Sequence, residues 1–298
     1  MMDIKTLLKQ GDAAQRLIYV NLGVFVIVTA IEVLARLFLL RPPFSTLSTL
    51  LALPATWTDV MHRPWTLLSY MFMHDGFWHL FFNMLCLYWF GKIVLADIGG
   101  RRLTGLYLFG GLTGALFYLL AFNLLPAYQM VADASLLVGA SGCIMAIIVA
   151  AAMYKPDMPL RLLFIGSVRL KWIAIGAIAV SLLGITGSNA GGQLAHVGGA
   201  VGGWLFVWLL RHNVDLTQPI RRLREKRRVR HHDNSRTDNT RKFHYQRATH
   251  TNNTQRTTDA DYNSQRAKHN ARIDAILDKI KASGYDSLTE EEKRELFQ

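Results

Sequence analysis

The first 210 residues of this 298-residue chain are short of charge, and the whole chain is short of cysteine. Residues 1–210 hold 13 Lys/Arg and 8 Asp/Glu, far below what a water-soluble domain of that size needs to cover its surface. A soluble fold is excluded for this part. The two cysteines, Cys86 and Cys143, sit inside apolar runs, which excludes a disulfide-built scaffold and reads as core filling. Neither Cys-x-x-Cys nor His-Glu-x-x-His occurs, so the common zinc patterns are missing. A cleavable signal peptide is not expected either. The first apolar run, from Leu17, is long enough to cross a bilayer and lacks a small-residue cleavage site.

What the chain does have is hydrophobic length: 51% of its residues are hydrophobic and 18% charged. Six apolar stretches are long enough to cross, or nearly cross, a hydrocarbon core: Leu17–Leu40, Phe77–Ala96, Leu103–Leu125, Gly139–Tyr154, Trp172–Thr186 and Leu194–Leu210. The fold expected is an all-α polytopic membrane bundle of six transmembrane helices. The fourth stretch rises only about 24 Å at roughly 1.5 Å per residue, which suits a helix that ends in a polar pocket above Gly139. Lys5, Lys9 and Arg16, then Lys92, Arg101 and Arg102, then Lys155, Arg161, Arg169 and Lys171 all fall on one side of such a bundle. The excess of positive charge puts that side, with both termini, in the cytoplasm, and spans two, four and six then run inward from the outer face. A multi-pass protein of a bacterial inner membrane is the expected location. Glu32 and Arg36, one turn apart in the first span, read as a structural helix-surface pair.

Beyond Leu210 the composition inverts: residues 211–298 carry 20 Lys/Arg and 13 Asp/Glu. The expected organisation is a cytoplasmic segment 1–16, a membrane domain 17–212, a basic linker 213–268 and a small helical segment 269–298. The run from Arg221 to Arg230 suits anionic lipid. Nucleic acid is the less favoured partner, because no stacking platform or groove-reading motif accompanies the charge. Residues 231–268 have the composition of a disordered linker. Ile273, Ile276, Leu277 and Ile280 then form a helical stripe that Gly284 can end, and Ser287-Leu288-Thr289-Glu290 reads as a capping box. Some thirty residues make a small core, so a partner surface for these helices is expected.

Polar groups inside apolar spans are expensive, and four stand out: His79, Asn83, Ser141 and His196. On the predicted topology each falls within about two turns of the outer end of its helix. Ser141 stands in Gly139-Ala140-Ser141-Gly142, where glycine permits close approach and a helix start leaves N–H donors free. His196 precedes Gly198, Gly199, Gly202 and Gly203, whose i, i+4 spacing lets a neighbouring helix pack backbone to backbone. If span six meets span four there, the imidazole can act as the base that a serine nucleophile requires. His79 and Asn83, four apart, share a helix face, whereas His74 is expected to face elsewhere. Two donors beside Ser141 suit an oxyanion hole. Asp133, the nearest acid in sequence, reads as a solvated loop residue.

With His74-x4-His79-x3-Asn83, Gly139-x-Ser141-Gly142 and Ala195-His196-x-x-Gly199-x-x-x-Gly203 on three successive even spans, the chain resembles the rhomboid intramembrane serine proteases over residues 17–212. The resemblance implies a Ser141–His196 dyad without a third acid. It also implies an oxyanion hole of His79, Asn83 and the Ser141 N–H, with Gly139 in the same loop. Neither a metal nor an organic cofactor is required, and the implied substrates are transmembrane proteins. An inactive rhomboid-like escort of membrane clients is the alternative. A transporter is disfavoured by the lack of inverted repeats of broken helices. In the family's first outer loop Trp is often followed by Arg; here Thr66 follows Trp65. The chain beyond Arg211 lies outside the resemblance.

Overall fold

The computed structural model describes residues 11–39, 44–162, 166–218, 272–284, 287–289 and 291–293. Contacts divide the chain into two units, residues 1–226 and 227–298. The basic run 221–230 and the segment 231–268 lie outside the described residues, as does the side chain of Arg36.

The first unit is helical. Among the described residues nine helices follow in chain order: α1 (Ala13–Leu39), α2 (Phe44–Leu51), α3 (Trp57–His62), α4 (Thr66–Ser69), α5 (Phe77–Leu124), α6 (Pro126–Gln129), α7 (Ser141–Tyr154), α8 (Leu170–Leu183) and α9 (Ala190–Arg211). Three of them, α1, α5 and α9, are long and apolar enough to cross a membrane, while α7 and α8 are shorter apolar helices. The loop expected between the second and third stretches is absent. Residues 77–124 are two helical halves that meet at a break at Gly99, where φ is 78°. That left-handed conformation is open to glycine at no steric cost, so a single residue turns the chain where a longer connection was expected. Lys92 accordingly lies within the helix, bound to Asp12 at the start of α1.

Several polar groups inside the bundle are hydrogen-bonded to side chains or backbone carbonyls, as an apolar surround demands. The Asn21 amide of α1 donates to Tyr107 Oη at 3.2 Å, and Tyr107 donates to the Met71 carbonyl at 2.8 Å. Tyr70 donates to the Gly111 carbonyl at 2.6 Å. Two short strands, β1 (Leu53–Pro54) and β2 (Leu136–Leu137), pair antiparallel and tie the loop before α3 to the loop before α7. A β-hairpin of β3 (Pro159–Leu162) and β4 (Gly166–Arg169) joins α7 to α8. Where Thr66 replaces the usual arginine, its hydroxyl donates to Arg63 O at 2.6 Å. Arg63 itself reaches back to the Thr49 carbonyl at 2.8 Å. Cys86 and Cys143 are both free thiols, Cys143 fully buried.

The centre of the bundle is the contact among α7, α9 and the 100–124 half of α5. The two glycine pairs of α9 face different neighbours. A Cβ on Gly199 or Gly203 would run into the carbonyls of Gly142 and Ala146 on α7, whereas one on Gly198 or Gly202 would run into Thr113 of α5. Gly114 returns the contact, since a Cβ there would come within 2.8 Å of the Ala195 carbonyl. Helices approach backbone to backbone only where side chains are missing, so these positions fix the axial register of α9.

The chain stays attached to this body past residue 212. Arg101 and Arg102, just after the Gly99 break, hold the Asp215 carboxylate at 3.3 and 2.9 Å, and Thr217 donates to it from its N–H and its hydroxyl. In the second unit a helix over 272–283 ends at Gly284, whose φ is 79°. Glu290 of the expected capping box lies outside the described residues, and a box is formed by Thr289 and Glu292. Thr289 N–H donates to Glu292 Oε2 at 2.8 Å, and Glu292 N–H donates to Thr289 Oγ1 at 3.3 Å.

Gly199→Ala is expected to destabilise the bundle by about 1–3 kcal/mol, because the Gly142 carbonyl is backbone and has no rotamer to give way. Thermal unfolding in detergent measures it, with Gly176→Ala, which meets nothing within 4 Å, as the control. Burial would raise the Asp215 carboxyl, but the Thr217 donors and Arg102 outweigh it and hold it down at about 2, against an ordinary 3.8. A lowered folded-state value means its stabilisation is complete above pH ~4 and lost as pH falls toward 2. Both guanidiniums are about two-fifths exposed, so solvent screening reduces the contribution to about 1 kcal/mol. Asp215→Asn should therefore lower the unfolding temperature at pH 7, and the difference from the parent should close below pH 3.

Candidate active site

The site is built at one end of the bundle, where α5, α7 and α9 bring their polar residues together. Ser141 is the first residue of α7, and Ala140 before it offers no side-chain cap. The first helical bond runs from Ile144 N–H to Ala140 O at 2.9 Å. The N–H groups of Ser141, Gly142 and Cys143 thus lack helical carbonyls to bond.

The loop into Ser141 is held at both ends of a short span. β2 pairs with β1, and Gly139 N–H donates to the Tyr70 carbonyl at 2.9 Å. Gly139 has φ of 125°, a region that L side chains rarely enter. A Cβ there would stand 2.9 Å from His79 Nε2 and 3.6 Å from Ser141 Oγ. Glycine therefore lets the His79 ring and the Ser141 hydroxyl flank the same stretch of backbone. Asn83, one turn along α5, is 8% exposed, and its Nδ2 is buried without a hydrogen-bond partner. A buried amide donor in that state is costly unless something is bound there at the working moment.

Two residues absent from the sequence reading hold the histidines. His79 Nδ1 lies 2.5 Å from Asp75 Oδ1, four residues earlier. A carboxylate only accepts, so Nδ1 carries a proton, and Nε2 becomes a donor when the ring carries both. His196 Nδ1 lies 3.2 Å from Ser181 Oγ on α8, a buried hydroxyl. The i, i+4 spacing of Asp75 and the lone serine in an apolar helix were the available signals. His196 follows Ala195, whose carbonyl would lie 3.2 Å from a Cβ on Gly142, the residue after Ser141. His79 is within electrostatic reach of His196. Among the described residues the hydrogen-bond partner of the His196 ring is Ser181 rather than Ser141. Catalytic pairs without substrate are commonly longer than in the reacting complex.

His74 corrects an expectation. Instead of facing elsewhere it is 7% exposed, with its ring edge-on to His79 at 5.1 Å. The helical-wheel argument assumed a helix through both, but α5 begins only at Phe77. Burial, then the neighbouring His79, push its pKa down to about 4, so the ring is a neutral support for His79. Asp133 is exposed in the loop before β2. A cleft of about 510 Å³ lined by Tyr118, Tyr128, Ser135, Leu136, Ser188 and Asn189 opens between that loop and the start of α9. Among the described residues no three His, Cys, Asp or Glu side chains converge as metal ligands.

This arrangement offers a serine at a helix start, an imidazole on the helix packed against it, and donors from a third element. The model of the Rhomboid domain matches residues 61–213, and a family of unknown function, DUF6576, matches residues 256–298. RHOMBOID-like protein 12, mitochondrial, of Arabidopsis thaliana is 34% identical over 145 residues, 45% of this chain and 43% of that protein. RHOMBOID-like protein 7 of the same plant is 29% identical over 184 residues, 58% and 51% of the two chains. Rhomboid protein 1, mitochondrial, of Saccharomyces cerevisiae is 29% identical over 153 residues, 48% and 41%. The match spans about half the length of these relatives, and their names give no support to a bacterial inner membrane. With the Rhomboid domain covering half of its length, the chain belongs to the rhomboid family.

Proposed function

We propose that this protein is an intramembrane serine endopeptidase that cleaves the transmembrane segments of other membrane proteins. The observation that carries the reading is that His79 Nε2 and Ser141 Oγ lie 2.9 and 3.6 Å from the one point where a Cβ on Gly139 would stand, with Gly142 packed against Ala195, next to His196. Ser141 attacks the scissile carbonyl, and His196 takes its proton and returns it to the leaving amine. The Ser141 N–H, the Asn83 amide and His79, steadied by Asp75, hold the oxyanion. Water then releases the acyl-enzyme.

The same reading takes six passes: α1, the two halves of α5, α7, α8 and α9. The basic loops lie on the cytoplasmic side and the site faces outward. The tail run 221–230 adds contact with anionic lipid.

A model transmembrane substrate tests the proposal in proteoliposomes. The parent should cleave it, Ser141→Ala should not, and Asn83→Ala should be slower by about ten-fold or more without unfolding. Stepping the cleavable sequence one helical turn at a time should give an optimum in the outer part of the span. Helix-weakening residues should help there, because a hydrogen-bonded helix hides its carbonyls. Undiminished cleavage by Ser141→Ala, or an optimum at the cytoplasmic end, would overturn the assignment. Binding of substrate without cleavage by the parent would favour an inactive escort.

A further inference from the structure

A serine–histidine pair needs one thing that packing alone does not supply, a fixed tautomer. Neutral imidazole carries its proton on Nδ1 or on Nε2, and only the nitrogen without it can act as a base. In a triad an acid bonded to Nδ1 makes the choice. No carboxylate is bonded to the His196 ring among the described residues; Ser181 is.

Ser181 lies near the end of α8 and is 2% exposed. Its hydroxyl has a single proton and two neighbours, the Ala177 carbonyl one turn back at 3.0 Å and His196 Nδ1 at 3.2 Å. The carbonyl can only accept. The arrangement that satisfies both contacts sends the hydroxyl proton to Ala177 O, leaving Oγ to accept from Nδ1–H. Nε2 is then the unprotonated nitrogen. The contact is braced from the neighbouring turn: a Cβ on Gly184, three residues after Ser181, would come within 2.9 Å of Gln193, three residues before His196, so the end of α8 and the start of α9 meet closely next to the pair.

We infer that Ser181 is a positioning residue for His196, holding its proton on Nδ1 so that Nε2 is free to take the proton of Ser141. The inference rests on the hydrolytic reading of the site. Ser181 touches no substrate and exchanges no proton in the reaction. When His196 is doubly protonated after the attack, Nδ1–H keeps donating to the same oxygen, so the contact serves the charged ring as well as the neutral one. An acid in this place would add a full charge; a hydroxyl supplies direction with little charge, which suits a buried position in an apolar bundle.

Two measurements test this. In the first, ¹⁵N-histidine labelling of the full-length protein in detergent, with His196→Asn used to assign the resonances, reads the tautomer directly, whether or not a substrate is cleaved. The expected result is Nδ1–H with Nε2 unprotonated in the parent, and a mixed population in Ser181→Val. An Nε2–H ring in the parent, or a tautomer that ignores Ser181→Val, would overturn the inference. In the second, kinetics on the model transmembrane substrate should show kcat about ten-fold lower in Ser181→Val, with KM unchanged. Ser181→Thr, equal in shape to valine but bearing the hydroxyl, should recover most of the rate. Equal rates in the valine and threonine variants would reduce Ser181 to a packing role. A parent that neither cleaves nor reacts with a serine-directed phosphonate would instead count against the hydrolytic reading, leaving the tautomer measurement to decide the Ser181 contact on its own.

Discussion

The structure depends on the approach of α9 to α7 without side chains between them. At Gly199 and Gly203 a single Cβ would collide with the Gly142 and Ala146 carbonyls. Lipid offers no hydrophobic drive to hold helices together, so close packing must do it. The same contact sets the chemistry. Gly142 follows Ser141 and Ala195 precedes His196, so the register that lets the glycines nest also brings serine and histidine to one level. The second glycine pair, Gly198 and Gly202, serves a different partner, Thr113 of α5, and locks α9 from a second side.

Around this contact, polar groups are arranged by what each can donate. Both site histidines have Nδ1 occupied, His79 by a carboxylate and His196 by a hydroxyl, and the other nitrogen of His79 faces Gly139. The partners differ in consequence. Asp75 presents a carboxylate oxygen to the His79 ring, whereas Ser181 presents an uncharged hydroxyl, itself donating to the Ala177 carbonyl, to the His196 ring. Thus two residues of one type on neighbouring helices receive different partners from what sits behind them.

Much of this was legible in the sequence. Charge scarcity and apolar length marked the membrane body, and the three motifs marked the rhomboid family. The glycine spacing indicated backbone contact, and the structure assigns that contact to two helices rather than one. What the sequence hid has physical causes. Gly99 turns α5 within a single residue, which an apolar-run reading replaces with a loop. His74 lies before the helix start, so a wheel drawn through it misplaces its ring. Thr289 precedes the helical residues 291–293 and pairs with Glu292, while Glu290, the acid of the expected box, lies outside the described residues. Ser181 is distant from His196 in sequence and matches no motif, so only the meeting of α8 with α9 reveals it.

The account turns on His196 activating Ser141. Peptide mapping after reaction of the purified protein with a fluorophosphonate addresses that step without needing to know the substrate. A single adduct on Ser141, lost in His196→Ala while that variant keeps its unfolding temperature, is the predicted result. An adduct on another serine, or one on Ser141 that forms equally fast without His196, would contradict it.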